Sequence, residues 1–417
     1  MPSTSSTREL DPVTESVRAF YEQYPYPSCG APMLRTGFDA RLVAGYAQES
    51  RPVGRPLSIL DAGCGRGVGL LATATLHPSA RVVGVDLCRA ALEDCRAQVR
   101  ARGLANVELV EADLLTLDGV PVPEGGFDVI HSSGVLHHLS DPAAGLARLV
   151  DVMAPTGVMV MMLYGTVGRR GIRRVQRALA AWIDPDAPLA ERLASSRLLV
   201  EELATEDEDC PWRAAAGCPD AEFVDRYLHP NECDYEVPEL FDLVEKAGLR
   251  FLRWTHPEHW SLDGVMPEGP LRDTVEALPD RERFTMIEQL ARPENLQLFL
   301  CKAGNGPRRL PPASDWADQL FATHPEVCFE LGHRSLWRQP RLESLHYRLR
   351  GGEPVLLPPG PLQRAAYILA SQCEPFRGST LMGALAEDGV PEGQLLPTLV
   401  ELVERELVYL PHEVELA

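Results

Sequence analysis

Residues 58–67 read Ser-Ile-Leu-Asp-Ala-Gly-Cys-Gly-Arg-Gly. An apolar strand runs into Asp61, and Gly63, Gly65 and Gly67 then alternate before an apolar helical stretch opens at Val68. Strand, glycine-rich turn and helix start thus fall within one short segment. Glycine lacks a Cβ and accepts positive φ, so such a turn lets a ligand lie directly against backbone amides. A turn of this kind at the carboxyl end of a parallel strand points to a nucleoside-type ligand.

The dinucleotide spacing Gly-x-Gly-x-x-Gly is not met. Counted from Gly63 it needs a third glycine where Val68 stands, and counted from Gly65 it needs one at Leu70. The Gly-Lys-Ser/Thr ending of a phosphate-cradling loop is also missing. The spacing Asp-x-Gly-x-Gly-x-Gly from Asp61 instead resembles motif I of the class I S-adenosylmethionine (SAM) methyltransferases. Further segments follow in the order that family requires. Residues 81–86, Arg-Val-Val-Gly-Val-Asp, read as a second strand ending in Asp86, whose carboxylate is placed to accept from both ribose hydroxyls of a nucleoside. Residues 107–113, Val-Glu-Leu-Val-Glu-Ala-Asp, read as a third strand ending in Asp113. The resemblance implies that Asp113 lies beside the adenine amino group and that Leu114 packs on the ring. Residues 126–136 resemble the fourth strand and its exit loop, with Ser132 within it. Asp141-Pro142 supplies a cap and a first helical residue, and Val158–Tyr164 is a near-continuous apolar run fit for a buried parallel strand. On the resemblance, SAM would be held by Asp61, Gly63, Cys64, Gly65, Gly67, Asp86, Leu87, Asp113, Leu114 and Ser132.

The expected fold is α/β: a Rossmann-like, seven-stranded class I methyltransferase sheet with a helical insertion and a small C-terminal, α-rich, winged-helix-like domain. Residues 1–55 form an N-terminal helical lid, 56–165 the SAM-binding core, 166–235 a helical substrate insertion, 236–304 the completion of the sheet, and 305–417 the C-terminal domain. The first ten residues are polar and read as disordered. A helix over 11–28 starts at Asp11-Pro12 and runs into Phe20-Tyr21-Glu22-Gln23-Tyr24-Pro25-Tyr26-Pro27. Its tyrosines serve either as packing or as a lid over the cofactor. This segment, and the string Leu228-His229-Pro230 followed by Tyr235-Glu236-Val237-Pro238-Glu239-Leu240, resemble a bacterial group that includes outer-membrane protein lysine methyltransferases. Within the insertion, Arg169, Arg173 and Arg177 share a helical face, and Glu206-Asp207-Glu208-Asp209 forms an acidic run. The two sets either pair with each other or leave the arginines to hold an acidic acceptor. A helix over 238–247 stops at Gly248, and 249–254 and 296–301 read as the sixth strand and the reversed seventh. After a linker at 304–307, helices over 362–373, 380–387 and 391–405 precede Leu407-Val408-Tyr409-Leu410.

Composition limits the partners. The chain has 417 residues and a formal net charge of −20, which disfavours nonspecific binding to nucleic acid or to an anionic membrane. Residues 362–417 carry three arginines against nine carboxylates, so the winged-helix-like unit reads as a protein-contact or self-association module rather than a DNA binder. Lys246 and Lys302 are the only lysines, which leaves almost no candidates for lysine-based covalent chemistry. No apolar run is long enough to span a membrane, and scattered cysteines read as a reduced, cytoplasmic protein. Cys210, Cys218 and Cys233 are spaced too widely for zinc pairs, and no metal is expected.

Methyl transfer from a sulfonium needs mainly alignment, which supplies roughly 7–11 kcal/mol of such a barrier. A base is needed only where the acceptor arrives protonated. His137 and His138, at the mouth formed by the fourth-strand loop, suit that role, with Tyr24 beside them and Tyr26, Tyr164 and His229 as lesser candidates. The acceptor is expected to be a protein or peptide side chain. A small molecule held by the helical insertion is the alternative, and a SAM-binding scaffold without turnover is a third reading.

Overall fold

The computed structural model describes residues 10–27, 39–47, 56–205, 210–263, 265–334, 341–349, 353–372 and 374–411. The acidic run at 206–209 and the first nine residues lie outside them. The chain divides into two compact units, residues 1–40 with 56–306, and residues 41–55 with 307–417. The 41–55 segment, assigned by sequence to the N-terminal lid, therefore groups with the C-terminal unit.

The first unit is built on seven strands: β1 (Ser58–Ala62), β2 (Arg81–Asp86), β3 (Val107–Glu111), β4 (Phe127–Ser133), β5 (Met153–Tyr164), β6 (Leu249–Trp254) and β7 (Asn295–Lys302). Their order in the sheet is β3-β2-β1-β4-β5-β7-β6, and β7 alone runs against its neighbours. This is the sheet expected from the sequence, reversed seventh strand included. From β1 the chain winds outward through β2 and β3, then returns to place β4 on the other side of β1. The strand order therefore switches at β1/β4, and ligands of open α/β sheets bind at the carboxyl ends of strands beside such a switch. β1 is buried along its whole length, because helices cover both faces of a parallel sheet.

The N-terminal helix spans Pro12–Gln23, with the Asp11 carboxylate accepting from the Val13 and Thr14 amides. It ends sooner than its sequence suggests, because the residue before a proline is pushed out of helical geometry, and Tyr24 precedes Pro25. The insertion folds into helices Arg170–Trp182, Leu189–Leu203, Pro211–Ala216 and Asp220–Tyr227. These close over a core that includes Ile172, Val175, Leu179, Val200 and Phe223, and Phe20 of the N-terminal helix is buried among them. A segment without sequence assignment, 255–294, supplies helices Pro270–Glu276 and Asp280–Ala291. It packs through Trp260, stacked on Trp254 with ring centroids 3.7 Å apart.

In the second unit, helices Pro361–Leu369, Gly378–Glu387 and Glu392–Glu404 stand where three helices were expected. Around them lie two small antiparallel sheets. One joins Leu320–Thr323 to Phe376–Arg377 and Val408–Tyr409; the other joins Val327–Arg334, Arg341–Leu349 and Val355–Leu357. The second sheet was not anticipated. A register shift between Leu342 and Ser344 breaks the two-residue alternation by which a strand is read from sequence.

Candidate functional site

At the end of β1 the chain turns through three left-handed glycines, Gly63 (φ 84°), Gly65 (φ 50°) and Gly67 (φ 83°). The Gly63 and Cys64 amides donate to the Val85 carbonyl (2.8 and 3.0 Å), which ties the turn to β2. None of the three positions has room for a side chain, and a Cβ on Gly63 would stand 2.3 Å from Val135 Cγ2. A Cβ on Gly65 would stand 2.9 Å from the Tyr26 carbonyl oxygen, and one on Gly67 would stand 2.3 Å from Cys95 Sγ. The approach at Gly65 shows that the Tyr-Pro-Tyr-Pro segment lies against the glycine turn. Arg66 adds a bond to the Pro27 carbonyl (3.2 Å), and the Arg89 amide donates to Glu22 (2.7 Å).

Asp86 ends β2 at this turn. Its Oδ2 accepts from the Gly65 amide (2.7 Å) and its Oδ1 from the Cys88 amide (2.8 Å). Desolvation raises its pKa against these two donors. Each oxygen keeps a further lone pair, so a partly exposed carboxylate with capacity for two more donors faces the turn. Asp61 is buried on β1 with Oδ1 3.0 Å from His131 Nδ1 of β4. One residue on, Ser132 Oγ is fully buried without a hydrogen-bond partner. Asp113 caps its own loop by accepting from the Leu115 amide (2.9 Å). Leu114 and Cys64 are buried and Leu87 is partly buried, with Leu114 belonging to the sheet core. A turn with three glycines, a carboxylate with further acceptor sites and an orphaned hydroxyl fit a nucleoside such as SAM.

The fourth-strand loop is a short 3-10 turn, Leu136–His138, that stands off the sheet. His137 has no exposed surface and stacks on Tyr164 with centroids 3.8 Å apart. His138 is buried and stacks on His229 at the same separation. Burial, aided by neighbouring positive charge, holds both His137 and His138 below the ordinary imidazole range, so each ring is neutral near pH 7. His138 Nδ1 lies 2.9 Å from the Asn231 carbonyl oxygen. A carbonyl only accepts, so this contact puts the ring proton on Nδ1 and leaves Nε2 as an acceptor. The Asn231 amide donates to His229 Nδ1 (3.1 Å), which fixes the opposite tautomer there. Asn231 Nδ2 further donates to the His138 and Leu139 carbonyls, and the Cys233 amide to the His137 carbonyl. Residues 229–235 are thus a strap that clamps the histidine turn. Tyr24 packs against the core of the insertion.

The arginines of the insertion find partners in that strap. Arg169 Nη2 is 3.1 Å from Glu232 Oε1, and Arg173 Nε is 2.5 Å from Asp234 Oδ2. Arg169 also lies over the Tyr164 ring at 3.5 Å. Among the described residues the acid partners of Arg169 and Arg173 are therefore Glu232 and Asp234; the run at 206–209 lies outside those residues. Beside them, buried Asp225 accepts from the Tyr21 hydroxyl (2.8 Å). Asp225, Asn231, Glu232 and Asp234 carried no sequence assignment. They lie between 61 and 204 residues from these partners, and no local spacing reveals such pairing. Among the described residues no group of three or more His, Cys, Asp or Glu side chains is arranged to hold a metal, and no helix is long and apolar enough to cross a membrane.

A family profile described as "Methyltransferase domain" matches residues 59–157. An uncharacterized protein of Synechococcus sp. is 30% identical over 419 residues, covering 96% of this chain and 94% of its own. A trans-aconitate 2-methyltransferase of Methylobacterium radiotolerans is 31% identical over 218 residues, 50% of this chain and 75% of its own. Among solved structures, PKMT2 from Rickettsia typhi superposes with a TM-score of 0.67 at 17% identity, covering 93% of this chain and 77% of its own. The same protein in complex with AdoHcy gives 0.66 at 19% identity, covering 94% and 76%.

Proposed function

The chain belongs to the class I S-adenosylmethionine-dependent methyltransferases, and on that premise we propose that its acceptor is a side chain of a protein or peptide. One observation carries this reading. The likeness in fold to PKMT2 runs through 93% of the chain, second unit included, whereas the match to the trans-aconitate enzyme takes in half of it. A small-molecule acceptor needs little beyond the sheet and its insertion. A second unit with its own core, more carboxylates than arginines over residues 362–417, and exposed apolar residues such as Leu356 and Tyr367 suits the docking of a macromolecule. The Tyr-Pro-Tyr-Pro and Leu-His-Pro segments, shared in pattern with outer-membrane protein lysine methyltransferases, support the same reading.

In this proposal Gly63, Gly65 and Gly67 present backbone to the nucleoside and Asp86 grips its sugar. When bound, SAM supplies an activated methyl group on a sulfonium. The chain's own task is then to hold the acceptor in line, exclude water and remove a proton. The strap at 229–235 keeps the histidine turn in place, and the N-terminal segment lies over the glycine turn.

Tritiated SAM with cell lysate tests the reading. Label in the protein fraction is the expected outcome. The match to the trans-aconitate enzyme favours the alternative of a small acid acceptor, and label confined to the soluble extract would establish that instead.

A further inference from the structure

We propose that Asp225, hydrogen-bonded to Tyr21, is the group that receives the acceptor as a cationic amine and takes its proton; this rests on the protein-acceptor reading above.

The guanidiniums of Arg169 and Arg173 face the carboxylates of Glu232 and Asp234, two charges against two. Asp225 is a further carboxylate buried beside this balanced set, and its hydrogen-bond partner among the described residues is the neutral Tyr21. A buried charge without its own counter-charge is costly: burial raises the Asp225 pKa, and a bound cation would hold the carboxylate ionised.

Tyr21, Tyr164, His138 and His229 pack around the carboxylate's neighbourhood with ring centroids 3.8–6.4 Å apart. Aromatic faces attract ammonium groups. Four imidazole nitrogens in the same cluster are unsatisfied: both nitrogens of His137, and Nε2 of His138 and of His229. The tautomer fixed by Asn231 makes His138 Nε2 an acceptor, ready for a second N–H of the same ammonium. Tyr21 sits on the N-terminal helix whose continuation, at Tyr26, lies against Gly65, and its hydroxyl donates to Asp225. The next residue, Glu22, accepts from the Arg89 amide just past Asp86, so the same helix touches both the glycine turn and the Asp225 site.

The step balances as follows. The bound ammonium gives one proton to the Asp225 carboxylate, and two opposite charges become a neutral amine and a neutral acid, a change that low polarity favours. The amine lone pair forms the new bond to the methyl carbon as the methyl–sulfur bond breaks, and that electron pair leaves with sulfur. The product is a methylated ammonium, and the proton on Asp225 passes to solvent. Groups facing Asp225 are Tyr21 and Tyr26 from the N-terminal segment, His138, Tyr164, Arg169 and Glu232.

The experiment uses the full chain with S-adenosylhomocysteine bound and N-acetyl-lysine methylamide as the probe, followed by calorimetry. Asp225→Asn is expected to weaken probe binding about thirtyfold or more, with S-adenosylhomocysteine affinity unchanged. Equal probe affinity in the two proteins overturns the assignment. Tyr21→Phe keeps the ring and removes the hydrogen bond that favours ionised Asp225, so it is expected to move the pH midpoint of probe binding upward. This second variant decides the matter if the first does not fold, and an unmoved midpoint also overturns the assignment. Tritium in the soluble extract with probe binding that depends on Asp225 would sink the protein-acceptor reading alone. Labelled protein with probe binding indifferent to Asp225 would sink this one alone.

Discussion

Asp86 buttresses the glycine turn by accepting from the Gly65 amide. In the function proposed above, its remaining lone pairs would take the sugar hydroxyls. Asp86→Ala removes both functions and is expected to weaken SAM binding by about an order of magnitude or more, through loss of charge-assisted hydrogen bonds. Calorimetry with SAM checks this, and unchanged affinity would place the sugar's partner elsewhere. Gly67 carries a structural burden of a different kind. Its φ of 83° disfavours any side chain, and a Cβ would press on Cys95 Sγ at 2.3 Å. Gly67→Ala should therefore destabilise the first unit by roughly 2–4 kcal/mol, from backbone strain and overpacking together. A drop in the unfolding midpoint of the apo protein measures it. The alternating glycines were legible in sequence because their demand is local. The close approach of Tyr26 to Gly65 was not, because it joins residues 39 apart in the chain.

Among the elements, the strap at 229–235 and the helix Arg170–Trp182 hold each other through buried charge. Arg169 is 2% exposed and serves both Glu232 and Asp234. Arg169→Gln leaves two buried carboxylates facing Arg173 alone, and breaking a buried pair from one side costs roughly 3–5 kcal/mol. The expected result is a lower unfolding midpoint together with weaker acceptor binding, since the histidine turn hangs from the same strap. Helix–helix pairing of another sort involves Glu288, which is buried on Asp280–Ala291 and accepts from the Val237 amide at the start of Val237–Lys246 (3.1 Å). Burial pushes its carboxyl up to about 7. A carboxyl raised above its unfolded value adds stability below the unfolded pKa, and that stability is lost as pH rises through the folded value. Unfolding free energy should accordingly fall between about pH 4.5 and 7, and Glu288→Gln should remove most of that slope. The helices of the insertion were legible as helices from their periodicity. Their charge partners were not, because the nearest acidic run in sequence, 206–209, is an easier reading than a strap beyond two further helices.

At the scale of the molecule, what could be read from sequence divides along local and non-local lines. Strands β1 to β7 announce themselves as apolar runs bounded by turn chemistry, and their order follows from a family pattern. The assignment of residues 41–55 to the second unit follows from no pattern at all. It rests on long-range pairing, in which Ala47 bridges Pro307 and the Arg308 amide donates to the Tyr46 carbonyl (2.8 Å). Arg308 also reaches the Leu410 carbonyl (2.9 Å), so the second unit is built from two stretches of chain that close on one another. The first unit, in contrast, holds the whole seven-stranded sheet, the glycine turn, Asp86 and Asp225 within residues before 307. A chain ending at Gly306 loses none of those groups. It is expected to keep SAM affinity close to that of the full chain and still to bind the lysine probe. If the second unit serves to dock the acceptor, removing it turns a two-point encounter into a one-point encounter, and labelling of the protein acceptor should drop roughly tenfold or more. Calorimetry on the truncated chain and tritium counts in the protein fraction separate the two effects. Labelling at the full rate would show that the acceptor is recognised wholly by the first unit, and the second would then need a different occupation.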